Sequence, residues 1–365
     1  MKRDIEEREY YRVLAHQHWD SLGKPIDSLG VLEQHVTKLC MIERTTQPRI
    51  NRRALAVLCA DHGCVREGVT QTDSSVTRIV AENFARGLTT TSVLAQQFAV
   101  DLFPIDVGML AATDSGTRPL SSRPMPTSAA LRTDLVNECC LQHGSGDIAV
   151  EPAMSEEVGE RALALGRRLV RELKAQGYDI LLTGEMGIGN TTPTSALFSA
   201  YLGLPVEETV GRGAGLSDEG LERKRDCVRR ALRRVGHKNA KQLLFELGGL
   251  EIATMAGMFL GAVEEQMPIV IDGAISTAAA LAASRIYEEE KAVADVALAS
   301  HVSKDGAARK ALEALGLRAI LDADMSLGEG SGAVLLMPML DAALAVYRGM
   351  GSFDDIHVEA YHRFK

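Results

Sequence analysis

The stretch LLTGEMGIGNTT, residues 181–192, runs from apolar residues into a glycine-rich loop and then into polar residues that can begin a helix. An apolar run bounded by such a loop is typical of a buried strand, which we predict over residues 179–183. Glycines let the backbone approach a ligand closely, and the N–H groups at a helix N-terminus bind anions. The stretch therefore predicts a strand, a phosphate-binding loop and a helix; the alternative is a glycine-rich turn that binds nothing.

The same order of apolar strand, polar strand end and helix recurs along the chain. Further strands are predicted over residues 54–60, 100–107 and 268–271, and a short apolar stretch covers residues 292–299. Helices are predicted over residues 3–21, 75–97, 155–176, 278–290 and 333–346, and after Asp27 and Ser28 as an N-cap. A Ser/Pro/Arg-rich loop is predicted over residues 119–127.

Alternating strands and helices indicate an α/β fold, with a Rossmann-like parallel sheet that carries helices on both faces. Ligands of such sheets bind at the carboxyl ends of the strands. The polar residues that follow the predicted strands are expected to gather at that edge: Asp61, Asp106, Glu185, Asp272, Ser300 and His301. The loop in residues 181–192 matches neither GxGxxG with a later acidic residue nor GxxxxGK[ST], which disfavours dinucleotide and P-loop sites.

Two further glycine-rich segments carry candidate functional side chains. GRGAGLSDEGLERK, residues 211–224, predicts a helix capped by Ser217 or Asp218 with Lys224 two turns in; a capped helix without a ligand is the alternative. LGEGSGA, residues 327–333, places Glu329 between two glycines before an apolar helix. The flanking glycines expose this carboxylate to a substrate, although a glutamate near a helix N-terminus can also simply favour the helix dipole.

The composition disfavours several classes of protein. The chain has 365 residues, of which 46% are hydrophobic and 4% aromatic, and a formal net charge of −9. Without a long basic stripe, nucleic-acid binding is not expected. Histidine and cysteine spacing predicts no metal site, and His62 is expected to be a structural histidine or one that hydrogen-bonds within its loop. The six cysteines without a CxxC pair, the lack of a secretory signal and the lack of a membrane-length apolar run predict a cytoplasmic protein with no membrane partner.

The motifs GEMGIGNTT and LGEGSGA, together with LGKPIDSLGVLE (residues 22–33) and GRGAGLSDEGLERK, occur in an order known from one enzyme family. Over nearly its whole length, the chain resembles the nicotinate-nucleotide–dimethylbenzimidazole phosphoribosyltransferase family of cobalamin assembly. The resemblance implies that a lower-ligand base, usually 5,6-dimethylbenzimidazole, displaces nicotinate from nicotinate mononucleotide and gives α-ribazole 5′-phosphate. It also implies a homodimer, with a large α/β domain over residues 50–310 and a small helical domain from residues 1–49 and 311–365.

The resemblance assigns the general base to Glu329, a second functional glutamate to Glu185 and a helix lysine to Lys224. The chemistry agrees, because the incoming nitrogen must lose a proton and an oxocarbenium-like transition state gains from a nearby carboxylate. It requires no cofactor. The predicted phosphate- and ribose-binding residues are Gly187, Gly189, Asn190, Thr191, Lys224, Ser303, Gly330 and Ser331. The predicted base pocket consists of Thr70, Arg78, Met186 and Leu327.

The chain departs from the family pattern at the expected base pocket. Members commonly have Ser-Ala-aromatic-Pro after EGV, whereas this chain has Thr70, Gln71, Thr72 and Asp73. These polar residues predict tolerance of bases with polar substituents; the alternative is that the loop faces solvent and leaves base selectivity unchanged. Two other functions stay open: a hydrolase or a different phosphoribosyltransferase on the same fold, and a nucleotide-binding paralogue that binds without turnover.

Overall fold

The fold is built on one parallel sheet. The computed structural model describes residues 2–110, 139–287, 289, 291–304 and 306–363, and the loop predicted over residues 119–127 lies outside them. Among the described residues the strands are β1 (Arg53–Ala60), β2 (Val100–Gly108), β3 (Ile180–Met186), β4 (Ile269–Ile271) and β5 (Ala297–Ala299). All paired strands are parallel, in the order β2-β1-β3-β4-β5. The predicted parallel sheet is therefore confirmed.

Helices connect and flank these strands. A 3-10 helix covers Gly63–Glu67. The α-helices of the described residues are α1 (Lys2–Ser21), α2 (Val31–Glu43), α3 (Ser75–Ala85), α4 (Thr90–Gln97), α5 (Glu156–Ala175), α6 (Thr191–Leu202), α7 (Val206–Thr209), α8 (Asp218–Val235), α9 (Ala240–Leu247), α10 (Leu250–Glu265), α11 (Ala274–Ile286), α12 (Ala292–Val296), α13 (Ala308–Ala314) and α14 (Ser331–Gly349).

Both faces of the sheet are buried, and alternate residues of β1 pack into two different hydrophobic cores. Ala56 and Leu58 face a core that includes residues of α5, α6 and α8–α13. Leu55 and Val57 face the opposite core, which includes residues of α1–α4 and α14. Successive strand residues point to opposite faces, so a strand covered on both sides must be apolar throughout. This is why residues 54–60 form an uninterrupted apolar run, and the prediction of helices on both faces is confirmed.

Helices from the two ends of the chain share one of these cores. Trp19 on α1 and Tyr347 on α14 lie edge to face, with 4.8 Å between ring centroids. Leu22 forms an isolated β-bridge with Ser352. By length and composition α14 could cross a membrane, but residues such as Leu336 are fully buried in the shared core. The division into domains at residues 49/50 and 310/311 stays a prediction.

Two helix predictions were wrong in detail. Residues 75–97 form two helices, because Gly87 adopts a φ of 72° and Thr89 starts α4 by accepting a hydrogen bond from the Ser92 N–H at 3.0 Å. Asp27 and Ser28 do not cap α2. Asp27 lies in a left-handed turn, and α2 begins three residues after Ser28, at Val31. The predicted stretch over residues 292–299 divides into α12 and β5.

The strand order positions the functional site. The strand that follows β1 in the chain, β2, pairs on one side of β1, whereas β3 pairs on its other side. The strand order therefore reverses at β1, and a crevice opens between β1 and β3 at the carboxyl edge of the sheet. Glu185 lies near the end of β3, Asp272 directly follows β4, and His301 lies two residues after β5. The polar strand ends therefore converge at one edge, as the sequence pattern predicts.

Candidate active site

A cleft of about 400 Å³ opens at the carboxyl edge of the sheet. Its walls come from the segment after the 3-10 helix, from α3, from the loop after β3, from the segment before α8, from the residues that follow β4 and β5, and from the loop before α14. Ten of the residues predicted as functional line it: Glu185, Glu329, Gly187, Gly189, Asn190, Thr191, Ser303, Thr70, Met186 and Leu327. A cleft of this size suits a mononucleotide or a small aromatic ligand.

Glu329 occupies a strained turn at the edge of the cleft. Gly328, Glu329 and Gly330 have φ angles of 78°, 61° and 86°, all in the left-handed region. A non-glycine residue rarely adopts this conformation, and the cost is on the order of 1–3 kcal/mol unless the surroundings fix it. The Thr91 hydroxyl donates to Glu329 Oε2 at 3.2 Å, while burial raises the pKa of the carboxyl. Glu329 is therefore held in one place and is more basic than an exposed glutamate.

Glu185 lies against this turn at the floor of the cleft, where its exposure is 6%. The Glu329 N–H donates to Glu185 Oε1 at 3.5 Å, and the Asn190 side-chain amide donates to Oε2. Burial is the largest cause that raises the pKa of Glu185 to about 8, and the carboxylates of Asp272 and Glu329 act in the same direction. Since these acids share a buried site, Glu185 is mostly protonated at neutral pH in the unliganded protein.

The glycine-rich loop after β3 fits tightly against the end of β1. Gly189 has a φ of 95°, and a Cβ on Gly187 would lie 2.5 Å from the Ala60 carbonyl oxygen. The His62 ring lies behind this loop, with Nε2 3.0 Å from Glu251 Oε1 in a fully buried pair. Packing alone therefore requires glycine at residue 187, and His62 has a structural role through its pairing with Glu251 on α10.

Lys224 reaches the same loop from α8. It is 1% exposed, and its Nζ donates to Thr191 Oγ1 at 2.7 Å and to the Gly211 carbonyl at 3.1 Å. Ser217 caps α8 by accepting from the Gly220 N–H, which confirms the predicted helix start. Lys224 lines a small cavity that shares Thr191 with the main cleft. The structure therefore brings a buried ammonium next to the predicted phosphate loop.

Three predicted site residues line neither the cleft nor this small cavity. Gly330 and Ser331 are buried beneath Glu329 at the start of α14. Arg78 does not line the cleft and pairs with Glu82, with 2.9 Å between Nε and Oε1. The sequence predicts Arg78 at the base pocket because it follows the loop of residues 70–73, but closeness along the chain does not determine which side of a helix lines a cleft. Among the described residues, no group of three or more His, Cys, Asp or Glu side chains could hold a metal ion.

Two residues at the site were not singled out by their sequence pattern. Asp272 was expected only as a strand end, yet its Oδ2 accepts from the Gly330 N–H at 3.1 Å and its Oδ1 from the Ala333 N–H at 3.0 Å. Thr91 lies on α4 and contacts Glu329 across 238 residues of chain. No local signal could have found these contacts, because both partners are distant in sequence.

Comparison with known proteins agrees with this geometry. A family model described as phosphoribosyltransferase matches residues 7–358. The nicotinate-nucleotide–dimethylbenzimidazole phosphoribosyltransferase of Acetivibrio thermocellus is 37% identical over 350 residues, which are 95% of this chain and 94% of that protein. This chain belongs to that phosphoribosyltransferase family. The resemblance carried by GEMGIGNTT and LGEGSGA is confirmed, and the fold brings these two motifs into contact through Glu185 and the Glu329 N–H.

Further members of the family are similar over nearly their whole length. The protein of the same name from Thermus thermophilus is 38% identical over 345 residues, which are 94% of this chain and 97% of that protein. The crystal structure of CobT from Thermus thermophilus superposes with a TM-score of 0.85 at 37% identity and covers 96% of this chain and 99% of that chain. The α/β fold and the enzyme class are therefore those of the family.

Proposed function

We propose that this protein transfers the phosphoribosyl group of nicotinate mononucleotide to a lower-ligand base such as 5,6-dimethylbenzimidazole. The products are α-ribazole 5′-phosphate, with inversion at C1′, and nicotinate, and the reaction serves cobalamin biosynthesis. The observation that carries the proposal is the placement of Glu329 and Glu185 together at a cleft in a member of this family. The relatives' names supply the substrates, and the two carboxyl groups supply the chemistry.

The proposed reaction needs one proton acceptor. A nitrogen of the base attacks C1′ while the C1′–N bond breaks and its electron pair returns to the nicotinate nitrogen. The N–H proton of the base passes to Glu329, whose raised pKa and fixed turn suit a general base. The pyridine nitrogen leaves without a proton, so no general acid is needed. The 5′-phosphate is proposed to lie against Gly187–Thr191, with Lys224 nearby.

Glu185 is proposed to face the positive charge of the ribosyl-pyridinium. A cation beside Glu185 favours its ionised form, so the pKa, about 8 in the unliganded protein, falls when the substrate binds. Binding then releases a proton. The same carboxylate stabilises the oxocarbenium-like charge that develops at C1′ during transfer.

We expect the affinity for nicotinate mononucleotide to rise between pH 7 and pH 9. Below the pKa of about 8, binding must first remove the proton of Glu185, and above it this cost disappears. Titration calorimetry across this range checks the trend. Ribose 5-phosphate has the same phosphate but no pyridinium, so its affinity should change much less. With Glu185→Gln the rise for nicotinate mononucleotide should vanish; a rise of undiminished size would remove Glu185 from this role.

A product assay separates the proposal from its alternatives. The protein is incubated with nicotinate mononucleotide and a panel of benzimidazoles, purines and phenols, and the products are identified by mass. A ribosylated base supports the transferase. Nicotinate released at the same rate without any base identifies a hydrolase, and binding without turnover identifies a nucleotide-binding paralogue.

The base pocket is proposed to be apolar on one side and polar on the other. Val76 and Val80 line the cleft together with Thr70, Gln71 and Thr72. Some of the polar capacity is used internally, because Thr70 Oγ1 donates to the Thr72 carbonyl at 2.7 Å and Gln71 donates to the Gly215 carbonyl. To bind a polar base, the Thr70 and Gln71 side chains must exchange these internal hydrogen bonds for hydrogen bonds to the ligand.

We expect a Thr70→Ser, Gln71→Ala double variant to accept polar bases less well. In competition between hydroxybenzimidazole and 5,6-dimethylbenzimidazole, loss of one hydrogen bond of about 1 kcal/mol should shift the product ratio about fivefold toward dimethylbenzimidazole. A Ser74→Ala variant, outside the cleft lining, is the matched control. An unchanged product ratio in the double variant would show that these side chains do not select the base.

We further propose that the protein acts in the cytoplasm as a homodimer, without a membrane or nucleic-acid partner. The family resemblance supports the dimer, and the exposed apolar residues Ile79, Leu88 and Val93 on and between α3 and α4 offer a surface for it. Sedimentation at micromolar concentration would distinguish the mass of two chains from that of one.

A further inference from the structure

We propose that Asp272 is a positioning residue that fixes the Glu329 turn and so holds the base in place. The proposal rests on the proposed function of Glu329 and extends it to the residue that directly follows β4. Asp272 directly follows β4 and is 2% exposed. Its carboxylate lies behind the turn and does not line the cleft, so it acts through Glu329 and not on the substrate.

The contacts of Asp272 join both sides of the turn. Oδ2 accepts from the Gly330 N–H at 3.1 Å, directly after Glu329, and Oδ1 accepts from the Ala333 N–H at 3.0 Å in the first turn of α14. The first N–H groups of a helix have no partner within the helix, and an anion there is also favoured by the helix dipole. One carboxylate therefore anchors α14 and fixes the residue that follows the base.

The turn is enclosed by other groups that agree with this assignment. A Cβ on Gly184 would lie 2.8 Å from the Glu329 carbonyl oxygen, and a Cβ on Gly332 would overlap the His301 ring. His301 Nδ1 lies 4.0 Å from Asp272 Oδ1. These contacts enclose the left-handed turn at Glu329, and among the described residues Asp272 is the carboxylate that accepts hydrogen bonds from the backbone N–H groups that follow Glu329.

The charge of Asp272 also acts on the acids of the site. Glu329 is faced by Glu185 from β3 and by Asp272 from β4, while Thr91 on α4 donates to it. Burial is the largest cause that raises the pKa of Glu329, and the Asp272 charge raises it further. Asp272 itself is faced by His301, after β5, and by Glu185, whose pKa its charge also raises. A neutral residue at position 272 should therefore leave Glu329 a weaker base with a lower pKa.

The test compares Asp272→Asn with Asp106→Asn in the full-length protein. Asp106 is an equally buried strand-end carboxylate whose Oδ1 accepts from the Gly108 and Met109 N–H groups at 2.9 and 2.8 Å, away from the cleft lining. Both variants should lose stability. For Asp272→Asn alone, kcat should fall by up to about 100-fold while KM for nicotinate mononucleotide changes little, because misplacement of a reacting group by about 1 Å has this effect.

The pH profile separates positioning from a general structural role. In Asp272→Asn the acidic limb of kcat, measured at saturating nicotinate mononucleotide so that Glu185 is already ionised, should move to lower pH, since the essential base Glu329 becomes easier to ionise. In Asp106→Asn it should stay in place. An Asp272→Asn variant with wild-type kcat and an unmoved limb would overturn the proposal, as would an equal loss of kcat and an equal shift in both variants.

Amide hydrogen exchange keeps the proposal testable if Asp272→Asn does not fold or if the wild type shows no transfer. In the wild type, the Gly330 and Ala333 N–H groups should exchange slowly because both donate to Asp272. Exchange at the rate of unprotected amides would contradict the anchoring. Absence of turnover in the wild type with every base would instead reject the proposed function and leave the exchange result to decide on Asp272.

Discussion

Replacing Glu329 by Gln should lower kcat by about 10²–10⁴-fold, the usual loss when a general base is removed. Gln keeps the shape of the side chain and can still accept from the Thr91 hydroxyl, which lies 3.2 Å from Oε2. It cannot take the proton of the incoming base. Because nicotinate mononucleotide does not depend on that proton transfer for binding, its dissociation constant should change little. Steady-state kinetics and calorimetry on the same preparation measure both quantities.

The matched control for Glu329→Gln is Asp324→Asn. Asp324 precedes Glu329 by five residues, also has a left-handed φ of 52°, and is exposed outside the cleft. This control tests whether loss of a carboxylate from the same segment is enough to reduce activity, and we expect nearly unchanged kcat. A Glu329→Gln enzyme that keeps its turnover within about threefold would show that another group accepts the proton, since general-base losses are far larger.

The second large effect is expected from Lys224→Met, which should raise KM for nicotinate mononucleotide about 10–100-fold. Loss of a hydrogen bond to a charged group costs about 1.5–3 kcal/mol, which corresponds to this range. The Lys224 Nζ contacts Thr191 in the glycine-rich loop, so the variant also removes support for the proposed phosphate site. Met keeps much of the side-chain volume, which limits the cavity left in the core.

Lys38→Met separates loss of phosphate binding from loss of a buried amine. The Lys38 Nζ donates to the Ala294 and Ala297 carbonyls at 2.7 and 2.8 Å, near the amino end of β5 and away from the cleft. Both variants should unfold at lower temperature, but only Lys224→Met should change KM. If KM for nicotinate mononucleotide is unchanged in Lys224→Met, the phosphate lies elsewhere.

The structure also changes how one substitution can be used as a probe. From the sequence, Gly189→Val is the natural choice to block close approach of a phosphate to the loop. A Cβ there would lie 2.9 Å from Val65 Cγ2, and the φ of 95° is unfavourable for any L side chain. The variant would therefore disturb the loop with or without a ligand, so Lys224→Met is the cleaner test of the phosphate site.

The pattern of short-range hydrophobicity was sufficient for the sheet. Residues 54–60 and 180–182 are apolar without alternation, which is what a strand buried on both faces requires, and β1 and β3 include those positions. A helix break that depends on the φ angle of one residue was not evident in the hydrophobic pattern. The φ of 72° at Gly87 ends one helix and allows another to begin, where the apolar pattern alone predicted a single helix.

By itself the sequence determined the parallel α/β sheet, the family, and the two motifs that carry Glu185 and Glu329, because each of these is written in consecutive residues. Only the tertiary structure decided which distant residues meet them. It placed Thr91 and Asp272 against the Glu329 turn and left Arg78 outside the cleft in a pair with Glu82. The physical reason is that a strand or helix repeats over a few residues, whereas contacts between elements depend on strand order and on how each helix is rotated about its axis.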